Sequence, residues 1–170
     1  MSCVSAPCVR SARFSPGPRA ARPNLRLRVI RDLANAGVPV SVLIAPVIPV
    51  LTAHEIERIL QAATDAGARA ASMIPLRLPL EVAPLFRDWL DRHHPGKAAH
   101  VMSQVQAMRG GRDNDPRFGN RMRGEGHEAD LLHQRFRLAR RRLGLTGRLE
   151  ALDCSQFAPP PRAGDQLSLF

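Results

Sequence analysis

The chain has 170 residues, enough for one domain with a real core, but 15 prolines and 12 glycines interrupt it often. Basic residues number 25 against 15 acidic ones, a net charge of +10, and Lys97 is the only lysine, so nearly all of the positive charge is arginine. No run approaches the roughly 18 apolar residues of a membrane-spanning helix. The three cysteines, Cys3, Cys8 and Cys154, sit in no ligand spacing, which argues against a disulfide framework and against a cysteine-based metal site.

The expectation is therefore a soluble, cytoplasmic protein with reduced thiols. An arginine-rich surface suits bidentate contacts to phosphate and is compatible with nucleic acid. The same bias towards Ala, Arg, Pro and Gly also follows from GC-rich coding.

Residues 1–24 contain Pro16, Pro18 and Pro23 among arginines and serines, and no acidic residue precedes Asp32. This stretch resembles a transit peptide and equally fits a mis-started reading frame; both origins predict a disordered leader. From Leu25 the pattern turns helical, with Leu25, Val29, Leu33 and Ala36 at helical spacing and Gly37 as the stop. Val38 to Val47 is almost continuous in Val, Leu and Ile, as in a parallel strand buried on both faces, and Pro46 and Pro49 end it. Thr52 and Glu55 have the spacing of a capping box for a second helix carrying Ile56, Ile59, Leu60 and Ala63.

An internal echo follows. Asn35-Ala36-Gly37 precedes the first strand as Asp65-Ala66-Gly67 precedes a second one, Ala68 to Leu78, and Gly37 stands as far before Pro49 as Gly67 before Pro79. A unit of about 30 residues, helix, glycine stop and buried strand, is what successive turns of a β/α barrel require. Two such units over residues 25–80 leave sheet edges open and cannot close a barrel.

Residues 81–150 read as helical. Leu85, Phe86, Trp89 and Leu90 form one apolar face, Val101, Met102, Val105 and Met108 a second, and a polar loop from Arg109 to Gly126 leads to a last helix facing inward with Leu132, Phe136, Ala139 and Leu143. Gly144 stops it. The six histidines show no helical metal spacing, no nucleophile elbow or phosphate loop occurs, and the methionines and Trp89 read as core. No catalytic residue and no metal ligand is assigned. Residues 151–170 form a Pro-rich, disordered tail.

In a β/α barrel the strand carboxyl ends carry the chemistry. Here these are Ala45 to Thr52 and Met73 to Pro79, and Arg77 is the one charged side chain of the second stretch, placed to meet a carboxylate in the barrel mouth, to join a structural ion pair or to lie on a solvated rim. If Arg109, Arg112, Arg117 and Arg121 share one face, with the Arg140 to Arg142 run, they would form a nucleic-acid surface.

Ala36-Gly37-Val38-Pro39-Val40, Ala45-Pro46-Val47-Ile48-Pro49, Leu76-Arg77-Leu78-Pro79, Met108-Arg109-Gly110-Gly111 and Phe118-Gly119-Asn120-Arg121-Met122, in this order, resemble the carboxyl-terminal half of radical S-adenosylmethionine proteins of the DNA-repair-photolyase-like group, related to spore photoproduct lyase. The resemblance spans residues 18 to 170. It implies an α/β fold: a partial, radical-S-adenosylmethionine-type β/α barrel fragment of about two parallel strands with about five helices. It also implies a parent activity in which a [4Fe–4S] cluster, on a C-x-x-x-C-x-x-C loop that this sequence lacks, reductively cleaves S-adenosylmethionine for chemistry linked to DNA repair. Pro46, Val47, Ile48 and Pro49 would then help hold the cofactor's adenosyl part, and Val50 stands where the family commonly has glycine. The chain alone would bind no cofactor and be inactive, needing a partner that supplies the missing amino-terminal half.

The competing reading is a non-enzymatic adaptor that binds nucleic acid or a replication protein. The last residues, Gln166-Leu167-Ser168-Leu169-Phe170, resemble the peptide with which bacterial polymerases and repair proteins dock on the DNA sliding clamp. Gln166 would fix the register while Leu167, Leu169 and Phe170 fill an apolar pocket.

Overall fold

The computed structural model describes residues 2–5, 21–146, 155, 157, 158 and 160. The disordered leader and tail expected from composition fall mostly outside these residues, as do Gln166, Leu167, Leu169 and Phe170. The described part is mixed α/β. Strand β1 (Ser2–Ser5) is followed by helix α1 (Pro23–Asn35), strand β2 (Val40–Val47), a 3-10 turn (Ala53–Glu55), helix α2 (Ile56–Asp65) and strand β3 (Ala70–Pro75). Helices α3 (Val82–His93), α4 (Ala98–Ala107), the single-turn α5 (Asn120–Arg123) and α6 (His127–Arg142) complete the order. No helix among the described residues is long and apolar enough to cross a membrane.

The sheet is parallel throughout, in the order β1-β2-β3. Both expected strands are present, and what is corrected is the leader: Ser2 to Ser5, assigned to it above, pair with Val40 to Leu43. A parallel β2 with a bare edge would leave backbone donors and acceptors unpaired, and β1 takes that edge. Six helices are present among the described residues where about five were expected, the additional one being the single-turn α5 inside the polar loop.

The echo between the two units extends to hydrogen bonding. Val38 N–H donates to Leu33 O and Ala68 N–H to Ala63 O, both at 3.0 Å, so α1 and α2 end in the same six-residue cap. Gly37 and Gly67 hold the positive φ each cap needs, +79° and +99°. At Gly67 a Cβ would also lie 2.6 Å from the Ala34 Cβ, so the glycine lets the end of α2 close on α1.

Burial corrects two helix faces. In α1, Leu25 and Val29 are exposed, and the sheet is covered instead by Ile30 with the half-buried Leu27 and Leu33. Both stripes satisfy helical spacing, and only docking on the sheet selects between them. In α3, Leu85 points to solvent while Leu90 is fully buried. The faces expected for α2, α4 and α6 are buried as read, apart from the half-buried Leu143.

Two apolar cores result. One joins α1, α2 and α6 to the sheet through Ile30, Val42, Leu60, Met73 and Phe136. The other lies beyond the strand carboxyl ends, where Ile48, Leu76 and Leu78 pack against Leu90, Val101 and Val105 of α3 and α4, with Trp89 at its margin.

Candidate functional site at the strand carboxyl ends

Beyond β2 the chain turns back on itself. Leu76 N–H donates to Val47 O at 2.9 Å, Thr52 N–H to Ile48 O at 2.9 Å and Leu51 N–H to Pro49 O at 2.7 Å. Ile48 N–H is taken by the Thr52 hydroxyl oxygen at 2.8 Å. This overturns the capping box: Thr52 caps no helix with its side chain, because its oxygen closes the preceding turn. Val50, the β-branched residue at the position of interest, does adopt a left-handed φ of 64°. That conformation is costly for a side chain branched at Cβ.

This geometry bears on the cofactor assignment. The side chains of Val47, Ile48 and Pro49 are buried, and the Val47, Ile48 and Pro49 carbonyls and the Ile48 N–H are engaged internally. Pro46 is the exposed member of the four. These residues shape a floor; they present few free polar groups to a ligand.

Arg77, on the loop after β3, is different. It is half-buried, its Nη1 lies 3.7 Å from Met122 Sδ, and its buried Nε–H has no acceptor among the described residues. Arg109 sits nearby with 1% of its surface exposed. Its Nη2 donates to Leu76 O at 2.8 Å and its Nη1 to Asn120 O at 3.0 Å and Arg121 O at 3.2 Å, tying α5 to the end of β3. Burial lowers the Arg109 pKa, the charge of Arg77 lowers it further, and Asp115 partly offsets both. The Arg109 Nε–H, like that of Arg77, is buried without an acceptor.

The burial of Arg109 removes it from the nucleic-acid face proposed above. Arg117 is likewise committed: its guanidinium holds Asp115 at 2.6 Å and Glu125 at 2.9 Å, while its N–H donates to Asp115 Oδ1 at 3.0 Å. These bonds hold the Asp115 carboxyl well below the usual carboxylate range and raise the Arg117 pKa. Asn120 Nδ2 completes the bracket by donating to Glu125 Oε2 at 2.8 Å. At the start of the loop, Arg87 donates to both oxygens of Asp113, at 2.7 and 2.9 Å, and Gln106 adds a bond at 2.9 Å. The Arg87 bonds lower the Asp113 pKa against the opposing effect of burial.

Arg112 and Arg121 remain exposed, as does Arg123, which the residue pattern did not single out. The Arg121 guanidinium lies 5.4 Å from the centre of the Phe118 ring. Arg140 is half-buried, its Nη1 near Ala71 O at 3.4 Å, so the Arg140 to Arg142 run is not one free surface. The alternation of acids and arginines from Arg112 to Arg117 was the one sequence signal for this bracket.

A cleft of about 310 Å³ opens beside the β2 turn, between Val50, His100 and Gln104 on one side and Glu128, Leu131 and Arg135 on the other. Arg135 is held there by Glu57, at 2.8 and 2.9 Å. Among the described residues no group of three or more His, Cys, Asp or Glu side chains could hold a metal ion. Cys3 lies in β1 opposite Ser41, and Cys8 and Cys154 lie outside the described residues. A [4Fe–4S] cluster requires converging thiolates, so the residues described do not fit it. Comparison of the chain with protein-family models, with curated proteins and with solved structures gives no match.

Proposed function

We propose that the chain is the carboxyl-terminal part of a radical S-adenosylmethionine barrel protein of the DNA-repair-photolyase-like group, and that by itself it binds rather than catalyses. The observation that carries this reading is Arg77: a half-buried cation whose buried Nε–H lacks an acceptor among the described residues, on the loop after the second of two repeated helix–glycine–strand units. In a β/α barrel that position faces the reaction centre. A guanidinium there suits the carboxylate of a ligand such as S-adenosylmethionine. Among the described residues no group of three or more Cys, His, Asp or Glu side chains could hold the cluster that would cleave the cofactor. The protein acts in the cytoplasm, with a partner that supplies the cluster-bearing half.

Two measurements test this. Anaerobic reconstitution of the purified chain with iron and sulfide is expected to give no stoichiometric cluster and no 5′-deoxyadenosine; formation of both overturns the non-catalytic reading. The DNA upstream, read in all frames, is expected to encode a C-x-x-x-C-x-x-C segment, and its absence sinks the assignment to this family.

A second reading is favoured by the terminal Gln166-Leu167-Ser168-Leu169-Phe170 peptide, which follows Pro159-Pro160-Pro161. Proline-rich chain is extended, and such a tether would let the peptide reach the groove of a DNA sliding clamp. A fluorescent peptide of residues 158–170 is expected to bind bacterial clamp, and a version with Gln166, Leu169 and Phe170 changed to alanine is expected not to. Equal binding by the two removes this reading.

A further inference from the structure

Phe118 is the most exposed large apolar side chain among the described residues, at 91%. Leaving an aromatic ring in water forgoes the gain of burying it, and a loosely held loop would let it fold onto the nearest apolar surface. This loop does not yield. On one side of Phe118, Arg117 is clamped by Asp115, itself buried, and by Glu125. On the other, Asn120 donates to Glu125, and the carbonyls of Asn120 and Arg121 accept from the buried Arg109. Gly119, with φ +92°, makes the turn between the two clamps. Phe118 is thus fixed within two residues on either side, and its own ring is left open except for the Arg121 guanidinium.

Other cations of the same segment are also turned to solvent. Arg112, Arg121 and Arg123 are exposed, and none of them takes part in an ion pair among the described residues. The acids of the loop are spent on Arg87 and Arg117. What the loop offers outward is one rigid aromatic face with arginines on the same short segment. A planar ring beside unpaired guanidinium groups matches an unstacked base between phosphates.

We propose that the loop from Arg109 to Gly126 is a single-stranded nucleic-acid platform, on which Phe118 stacks an unpaired base and Arg121, with Arg112 and Arg123, engages the flanking phosphates. This rests on the DNA-linked side of the reading above and names its partner as unpaired strand. A paired duplex hides base faces in its own stack, so the Phe118 contribution should be confined to single strands.

The test is fluorescence anisotropy with the full chain, a labelled oligothymidylate and a labelled hairpin duplex. The wild-type chain is expected to prefer the single strand. Phe118→Ala should weaken single-strand binding about 5- to 100-fold and leave the weaker duplex binding within about 2-fold, while Phe118→Trp should retain single-strand binding. Because the ring is exposed, circular dichroism should show the alanine variant folded. Arg121→Ala should flatten the log-log salt dependence on the single strand by about 0.7. Arg117→Gln, which loosens the clamp and leaves Phe118 in place, should lose part of the single-strand preference. The proposal is overturned if Phe118→Ala binds as the wild type does, if the wild type does not prefer the single strand, or if polyglutamate displaces the chain as well as unlabelled oligothymidylate does. None of these outcomes depends on the upstream cysteine segment, so failure here leaves the family assignment standing, and loss of that assignment leaves the Phe118 result standing.

Discussion

From α1 to β3 the structure is held by apolar burial, with Ile30, Val40, Ile56 and Leu60 wholly removed from solvent. Between Arg109 and Gly126 almost no apolar side chain is buried, and shape is held by Asp113, Asp115 and Glu125 in bonds to Arg87, Arg117 and Asn120. The first region uses a non-directional force that tolerates repetition, which is why one 30-residue plan serves twice. The second uses directional, charge-assisted bonds, each of which fixes one atom relative to another. A region of the second kind can hold a side chain where burial would not put it, and Phe118 is that side chain.

The largest expected effect is at the joint between the two regions. Arg109→Ala leaves the carbonyls of Leu76 and Arg121 without the guanidinium donor, reduces Asn120 O to its bond from Gly124 N–H, and opens a void in the interior. Buried groups left unpaired cost about 1–3 kcal/mol each, so urea unfolding should show a loss of about 3–5 kcal/mol. Arg109→Met, which fills the space and relieves the repulsion with Arg77, should lose about half of that. A loss below about 1 kcal/mol for the alanine variant would mean that the guanidinium is not the tie between α5 and β3.

How far the chain could be read from its residues follows the same division. The helix–glycine–strand units are local patterns, and both strands, their parallel pairing and the inward faces of α2, α4 and α6 were legible. The α1 face was not, because the Leu25 and Val29 stripe and the Leu27 and Ile30 stripe are equally periodic and only the sheet chooses. Thr52 was misread because its hydroxyl has a choice between the Ile48 N–H and the helix start, and the turn takes it. In the loop, Arg109 looked like a surface cation, since the three carbonyls that bury it come from residues 76, 120 and 121 and no spacing rule joins them. Phe118 stands in the Phe118-Gly119-Asn120-Arg121-Met122 motif, but its exposure is a property of clamps on both sides that only the folded loop supplies.

The next effect separates two glycines that the sequence makes look alike. Gly37→Ala meets nothing within 4 Å and pays only for its positive φ, whereas Gly67→Ala adds a clash with Ala34 Cβ at 2.6 Å. The first should destabilise by about 1 kcal/mol and the second by about 2–4 kcal/mol, measured by urea unfolding. Equal losses would show that α1 and α2 do not close on each other at Gly67.

A smaller effect is expected from pH, and it should be confined to the loop. Asp113 and Asp115 have folded-state pKa values below their unfolded ones, through the bonds from Arg87 and Arg117. Their stabilisation is complete above the ordinary carboxylate pKa of about 4 and is lost as pH falls below it. Hydrogen exchange, corrected for intrinsic rates, should therefore show protection of residues 109–126 unchanged between about pH 8 and pH 5 and declining below about pH 4, before α2 and the sheet respond. A loop that loosens together with the sheet would mean that the carboxylates do not hold it separately.

The smallest effect tests whether an ion pair on the apolar side does the same work as those in the loop. Arg135 and Glu57 form a bidentate contact at 2.8 and 2.9 Å, linking α6 to α2, and by geometry alone it equals the Arg117 pairs. Its setting differs. Whereas the Asp115 carboxylate that Arg117 holds is buried, both side chains here are 45% exposed, and the helices they join are already fixed by Leu60, Leu132 and Phe136 in a common core. Water and salt screen such a pair, and restraining two long side chains opposes the Coulomb attraction. A double-mutant cycle of Arg135→Ala and Glu57→Ala should therefore return a coupling of about 0.5 kcal/mol that fades as salt is raised. A salt-insensitive coupling above about 2 kcal/mol would break the division between the two regions. It would place a directional bond among the ties that hold α2 and α6 together, where apolar burial is now the sufficient cause.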